Sequence, residues 1–172
     1  MALLNIIEYP DPRLRLEAEP VKLFDHSVDT LVNDLFATMY ASRAIGLSAP
    51  QADDRRQILV MDLSGNESEP QVFVNPQIVD SALPGITEEG CLSVPGITAR
   101  VLRATRVKVR AQDTGGEHFE RELEGMHAVC LQHEMDHFAG KLLVDHISFL
   151  RRWRVRSAAR SRARATGQQR AG

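Results

Sequence analysis

Residues 126–139 read Met126-His127-Ala128-Val129-Cys130-Leu131-Gln132-His133-Glu134-Met135-Asp136-His137-Phe138-Ala139. The apolar positions recur at helical spacing, Gly125 precedes the stretch, and Gly140 stands where a helix C-terminal stop is expected. A helix carries residues i and i+4 on one face about a turn apart, so the imidazoles of His133 and His137 can grip one ion. Glu134, beside the first of them, can then act as a proton carrier for water at that ion. Met126, Val129 and Cys130 share the stripe with both histidines. Burying two imidazoles and a carboxylate among such neighbours costs several kcal/mol unless they are paired or bound to a cation. A metal offsets that cost.

A greasy helix of this kind needs a sheet to pack on. Upstream, Val28, Leu31, Val32, Leu35, Phe36, Met39 and Tyr40 form one apolar stripe, which predicts a helix over 27–42 capped by Asp25 or Ser27. The segment 44–51, AIGLSAPQ, reads as a loop or extended passage, and 58–63 as a compact buried strand. Two extended stretches are expected at 71–74 and 77–81, separated by Asn75-Pro76. Val107, Val109 and Ala111 alternate with Arg106, Lys108 and Arg110. Thr114-Gly115-Gly116 turns the chain, and Phe119 and Leu123 complete a hairpin. A last helix is expected from Ser148 to about Ala163. The fold class is α+β: short, mostly antiparallel strands packed around a central metal-binding helix, with N-terminal and C-terminal helices.

The 172 residues, 43% hydrophobic and 26% charged, suit one domain with a real core and argue against wholesale disorder. No apolar run is long enough to span a bilayer. The opening Met1–Pro10 lacks a basic region and carries Glu8, unlike a secretory signal. Two cysteines cannot build a disulfide scaffold, so a reduced, cytoplasmic chain is expected. The net charge of −2 hides an asymmetry: no acidic residue follows Asp145, whereas 151–172 holds eight arginines. Residues 1–150 are expected to form a single catalytic domain with 151–172 a basic tail. The tail either seeks a polyanion such as RNA or an acidic membrane surface, or is a solvated terminus.

Two imidazoles do not complete a catalytic site, which takes three protein ligands and an open position. The zinc-peptidase completions mostly fail: position 143 is Leu143, no glutamate follows Glu134, and Asp145 is the one carboxylate beyond the helix. The ligand should therefore come from upstream. Cys130 lies about 10 Å along the helix axis from His137, too far to close around the same ion, and reads as a small core residue. Cys91, in Glu88-Glu89-Gly90-Cys91-Leu92-Ser93, can approach the helix on an extended segment. A Cys91/His133/His137 site follows, whose donor types favour iron, zinc or nickel over magnesium or calcium.

Three separate segments, GLSAPQ at 46–51, EGCLS at 89–93 and QHEMDH at 132–137, resemble in order and spacing the signature motifs of the peptide deformylases. The opening Tyr9-Pro10-Asp11-Pro12-Arg13-Leu14 is similar too, so the likeness covers about residues 5–150. It implies a hydrolase that removes the formyl group from the N-terminal formyl-methionine of new polypeptides, releasing formate. The implied ion is Fe2+, with Zn2+, Ni2+ or Co2+ able to substitute. Glu134 is implied as the proton shuttle, with the Gln51 amide and the Leu92 backbone N–H as donors to the developing oxyanion. Ile45, Gly46, Leu47, Gly90, Met126 and Val129 are implied to bind substrate. Glycine backbones would line a cap tight enough to admit only a formyl hydrogen, and an apolar pocket would take the methionine.

The likeness has departures. Ala44 stands where glycine is frequent, Ser48 where alanine is common, and His127 where an apolar residue is usual, here expected to face solvent. Thr87 is expected to border the methionine pocket. His26, His118 and His146 lack motif partners and are expected on the surface. Arg151 to Arg164 is expected to aid ribosome binding. Two rival readings are a hydrolase with Cys91 as nucleophile and a non-catalytic, ribosome-associated metal-binding protein. Intact Glu134 and Gln51 argue against the second, since neither is needed to hold a metal.

Overall fold

The computed structural model describes residues 2–169, except the side chains of Arg160 and 162–169. Helix α1 runs His26–Ala41, with the Asp25 carboxylate accepting from the Ser27 N–H at its start. The strands are β1 Gly46–Ser48, β2 Ile58–Met61, β3 Gln71–Gly90, β4 Thr98–Gln112 and β5 His118–Glu124. Helix α2 is Gly125–Phe138 and α3 is Phe149–Gln169. Each strand pairs antiparallel with its sequence neighbour in one sheet, order β1-β2-β3-β4-β5. The α+β class is therefore as expected.

Strand β2 explains the layering. All four of its residues are buried, and successive side chains leave opposite faces of a strand. Ile58 and Val60 join Leu31, Leu35 and Met39 of α1, while Leu59 and Met61 join Ala128, Leu131 and Phe138 of α2. The sheet is thus clamped between the two helices, which is why this strand reads as a continuous apolar run. A third apolar cluster, with Ile7, Leu14, Val94, Val101, Leu142 and Val144, has Tyr9, Cys91 and Ile97 packed against it.

The stretches expected at 71–74 and 77–81 belong to one long strand. Asn75 adopts φ 50° and the register shifts between Val74 and Gln77, so Asn75-Pro76 is an irregularity inside β3 and not a turn between strands. The Asn75 side chain offsets the lost ladder contacts. It accepts from the Val21 N–H at 2.7 Å and donates to the Val21 carbonyl at 2.9 Å and to Gln112 at 2.8 Å. Gly140 follows α2 at φ 64°, where a Cβ would stand 2.5 Å from the Arg15 carbonyl oxygen. Its role as a stop is doubly fixed.

Helix α3 begins before residue 151 and buries Val155 and Ala159 against the body, and Arg151 donates to the Thr98 carbonyl. Arg151, Arg154 and Arg156 are exposed. The side chains of Arg160, Arg162, Arg164 and Arg170 lie outside what is described. Among the described residues no helix is long and apolar enough to cross a membrane.

Candidate metal centre and catalytic site

Three chain segments meet along one face of α2. The first is β1 with the 3-10 turn Ala49–Ala52, the second is the loop after β3 carrying Cys91, and the third is α2 itself. The N-terminal segment stitches the first two together by backbone bonds: Ile7 N–H to the Gln51 carbonyl at 2.9 Å and Tyr9 N–H to the Ser93 carbonyl at 2.8 Å.

The geometry of α2 brings His133 and His137 onto one face, ring centroids 5.5 Å apart. One donor atom from each of Cys91, His133 and His137 lies within 4.8 Å of the others, the one such cluster among the described residues. Cys91 Sγ stands 3.4 Å from His137 Nε2. A tetrahedral ion bound at about 2.3 Å to sulfur and 2.1 Å to nitrogen would hold those atoms about 3.6 Å apart, so the spacing fits. Cys130 takes no part. Burial holds its thiol well above the ordinary range, and its Sγ points to the Ile45 carbonyl at 3.7 Å.

The histidines are prepared for a cation in different ways. His133 Nδ1 meets Glu89 Oε2 at 2.8 Å, which leaves Nε2 for the cluster. Burial pulls His137 down to about 3. Its imidazole is therefore neutral, with a free lone pair. Glu89 is itself anchored. Arg103 Nε and Nη2 hold its two oxygens at 2.8 and 2.9 Å, and Arg103 Nη1 reaches Asp136 at 2.8 Å. Burial pushes the Glu89 carboxyl up, but Arg103 and His133 outweigh it and set it at about 2. Asp136 also meets His146 Nε2 at 3.1 Å, so His146 is a half-buried partner of this network and not the surface group expected.

Glu134 is 4% exposed, and its Oε2 has no hydrogen-bond partner among the described residues. Burial raises its pKa. A buried carboxyl shifted up, with one oxygen unclaimed, is suited to taking and returning a proton. Gln51 is oriented by its own turn. Its Oε1 accepts from the Ser48 N–H and Oγ–H, both at 2.9 Å, in the manner of a capping box. The amide NH2 therefore faces the cluster, 3.6 Å from Cys91 Sγ and 3.3 Å from Ser93 Oγ.

A cavity of about 580 Å³ opens onto these groups. Ile45, Gly46, Gln51, Gly90, Cys91, Leu92, Met126, Val129, His133 and Glu134 all line it, and Ile45 and Met126 form an exposed apolar rim. Leu47 does not line it: its side chain is fully buried in the α1-facing core. Alternation along β1 accounts for this, since Gly46 and Ser48 face the site and Leu47 the opposite layer. Thr87 does not line it either, and donates instead to Glu89 Oε1 at 3.0 Å. His127 is half-buried, while His26 and His118 are exposed as expected.

Sequence reasoning missed Glu89, Arg103 and Asp136 as a network. The signal was available: Ala99, Val101, Val107, Val109 and Ala111 mark the inward positions of β4, and Arg103 interrupts that series at 6% exposure. An arginine on the buried face of a strand demands anions.

A family model described as polypeptide deformylase matches residues 3–153. A peptide deformylase of Hahella chejuensis is 51% identical over 157 residues, covering 91% of this chain and 94% of the relative. That of Chromobacterium violaceum is 47% identical over 162 residues, covering 94% and 97%. Among solved structures, a peptide deformylase from Legionella pneumophila superposes with a TM-score of 0.90 at 46% identity, covering 96% of this chain and 98% of that one. One from Ehrlichia chaffeensis, in complex with actinonin, gives 0.89 at 35% identity, covering 94% and 98%.

Proposed function

The chain belongs to the polypeptide deformylase family, and from that premise we propose that Cys91, His133 and His137 hold its metal ion and Glu134 moves its protons. It is a hydrolase that removes the N-formyl group from formyl-methionine at the start of new polypeptides, and its family is metal-dependent. The observation that carries the residue assignment is the convergence of one thiol and two imidazoles beside a buried, partly unpartnered carboxylate.

The donor set suits Fe2+, and also Zn2+, Ni2+ or Co2+. Such an ion, when bound, polarises a carbonyl and makes water reactive near neutral pH. The chain's own groups do the rest. Glu134 takes the proton released as water attacks the formyl carbon and passes it to the departing amine. The Gln51 amide and the Leu92 backbone N–H donate to the oxygen that gains negative charge, each worth about 3–4 kcal/mol. Gly46 and Gly90 line the formyl end of the cavity, while Ile45, Met126 and Val129 supply apolar surface for the methionine side chain. Leu47 contributes through its backbone on the edge strand, its side chain being occupied in the core.

Residues 1–150 are read as the catalytic domain and 151–172 as a basic extension that aids ribosome association, in the cytoplasm where nascent chains arise. Elemental analysis of anaerobically purified protein, with formate release from formyl-Met-Ala-Ser, tests the centre. Chelation should abolish turnover, and Fe2+ or Ni2+ should restore it. Full turnover in metal-free protein would assign the 3.4 Å Cys91–His137 contact to a nucleophilic thiolate instead.

A further inference from the structure

Ser48 is fully buried on the site-facing side of β1, yet it is a polar residue among apolar neighbours. Its hydroxyl has one proton and donates it to Gln51 Oε1 at 2.9 Å. The Ser48 backbone N–H also binds Gln51 Oε1, so that oxygen is held from two sides and the amide cannot flip without leaving a buried N–H unpaired. Gly46, two residues earlier on the same face, lies so close to α2 that a Cβ there would stand 2.9 Å from Glu134 Oε1. One face of β1 therefore carries both the hydroxyl that holds Gln51 and the glycine that lets Glu134 approach.

We propose that Ser48 is a positioning residue for deformylation: its hydroxyl clamps the Gln51 amide with its NH2 toward the reaction centre. The proposal rests on the role given above to Gln51. Ser48 touches neither substrate nor metal. Its contribution is to keep Gln51 donating where charge develops, which is a transition-state effect and should appear in kcat.

The test is a double-mutant cycle on metal-loaded enzyme, with formate release as the rate and the Gln51 side-chain amide signal of the zinc-loaded protein as a second readout. Ser48→Ala removes one oxygen and adds no bulk, so folding is preserved. Its kcat should fall about tenfold with KM within twofold, and the Gln51 NH2 resonances should shift or broaden. In a Gln51→Ala background the same substitution should change kcat by less than twofold. Wild-type kcat in Ser48→Ala, an equal loss in both backgrounds, a change confined to KM, or an unmoved Gln51 signal would each overturn the proposal. An inactive metal-loaded wild type would instead sink the deformylase roles on which it stands.

Discussion

At the scale of single residues, the site separates groups that bind from groups that react. Glu134 is aligned by α2 but makes no contact that metal retention requires. Glu134→Ala should therefore keep its metal by elemental analysis and lose about 10²- to 10⁴-fold in turnover. Metal-replete protein with unchanged turnover would remove Glu134 from the mechanism. Arg103 behaves oppositely, because it neutralises two carboxylates, Glu89 and Asp136, while its own side chain and that of Glu89 are nearly excluded from water. Arg103→Leu leaves buried anions uncompensated. Denaturant unfolding should show a loss of about 3–5 kcal/mol. Through Glu89 it should also weaken metal binding, by about 10- to 100-fold in chelator competition, since His133 loses its fixed orientation. The proposed ligands were legible in the sequence because the i and i+4 histidines carry their own spacing and, of the two upstream thiols, only Cys91 lies off the helix. The buried position of Arg103 was legible but its partner was not, because the register sets Glu89 opposite Ala99 and Arg103 opposite Gly85, and only the length of the arginine side chain brings its guanidinium to Glu89.

At the scale of elements, function depends on how closely β1 approaches α2. A Cβ at Gly46 would stand 2.6 Å from Cys130 Sγ and 2.9 Å from Glu134 Oε1. Gly46→Ala should then lower stability by about 1–3 kcal/mol through overpacking and also depress turnover. Adding Cys130→Ala relieves the sulfur contact alone, so Tm should recover while kcat stays low. Joint recovery of both would show that Glu134 is not displaced. A second junction links the end of β2 to α1. Asp62 accepts from Tyr40 Oη at 2.9 Å, and from Ser64 N–H at 2.9 Å and its hydroxyl at 2.6 Å. Burial pushes its carboxyl up, but those donors outweigh it and the pKa is lowered. A carboxylate with a lowered folded pKa contributes stability that is fully present above its unfolded value of about 3.9 and lost as pH falls through the folded one. The Tm advantage of the wild type over Asp62→Asn should be constant above about pH 5 and shrink toward pH 3. A gap independent of pH would show that the ionised form is not what the junction uses.

At the scale of the whole molecule, the layers were readable and the stitching was not. The stripe of α1, the apolar run of β2 and the alternation of β4 each announce a buried face, and together they dictate helices on opposite sides of a sheet. The segment 7–9 announces nothing, because it joins the Gln51 and Ser93 loops through backbone groups that any residue carries. The Asn75-Pro76 pair misled for a related reason: a tertiary partner at Val21 replaced the local turn its composition suggests. Charge is the other global property, and it is divided. Thirteen basic against twenty-three acidic residues leave 1–150 at −10, while 151–172 carries +8. The body should repel a polyanion that the extension attracts, so both the orientation and the salt dependence of any ribosome contact would be set by α3. Each phosphate neutralised releases counterions, and affinity then falls steeply as salt rises. Co-sedimentation with ribosomes between about 50 and 200 mM salt should give a steep slope for the full chain. A chain ending at Leu150 should bind weakly with a shallow slope, because removing α3 discards every cation beyond the acidic body. Its formate release from a short peptide should persist, although α3 buries Val155 and Ala159 and some Tm will be lost. Equal ribosome affinity and equal slope for the two chains would show that the arginines serve the fold alone.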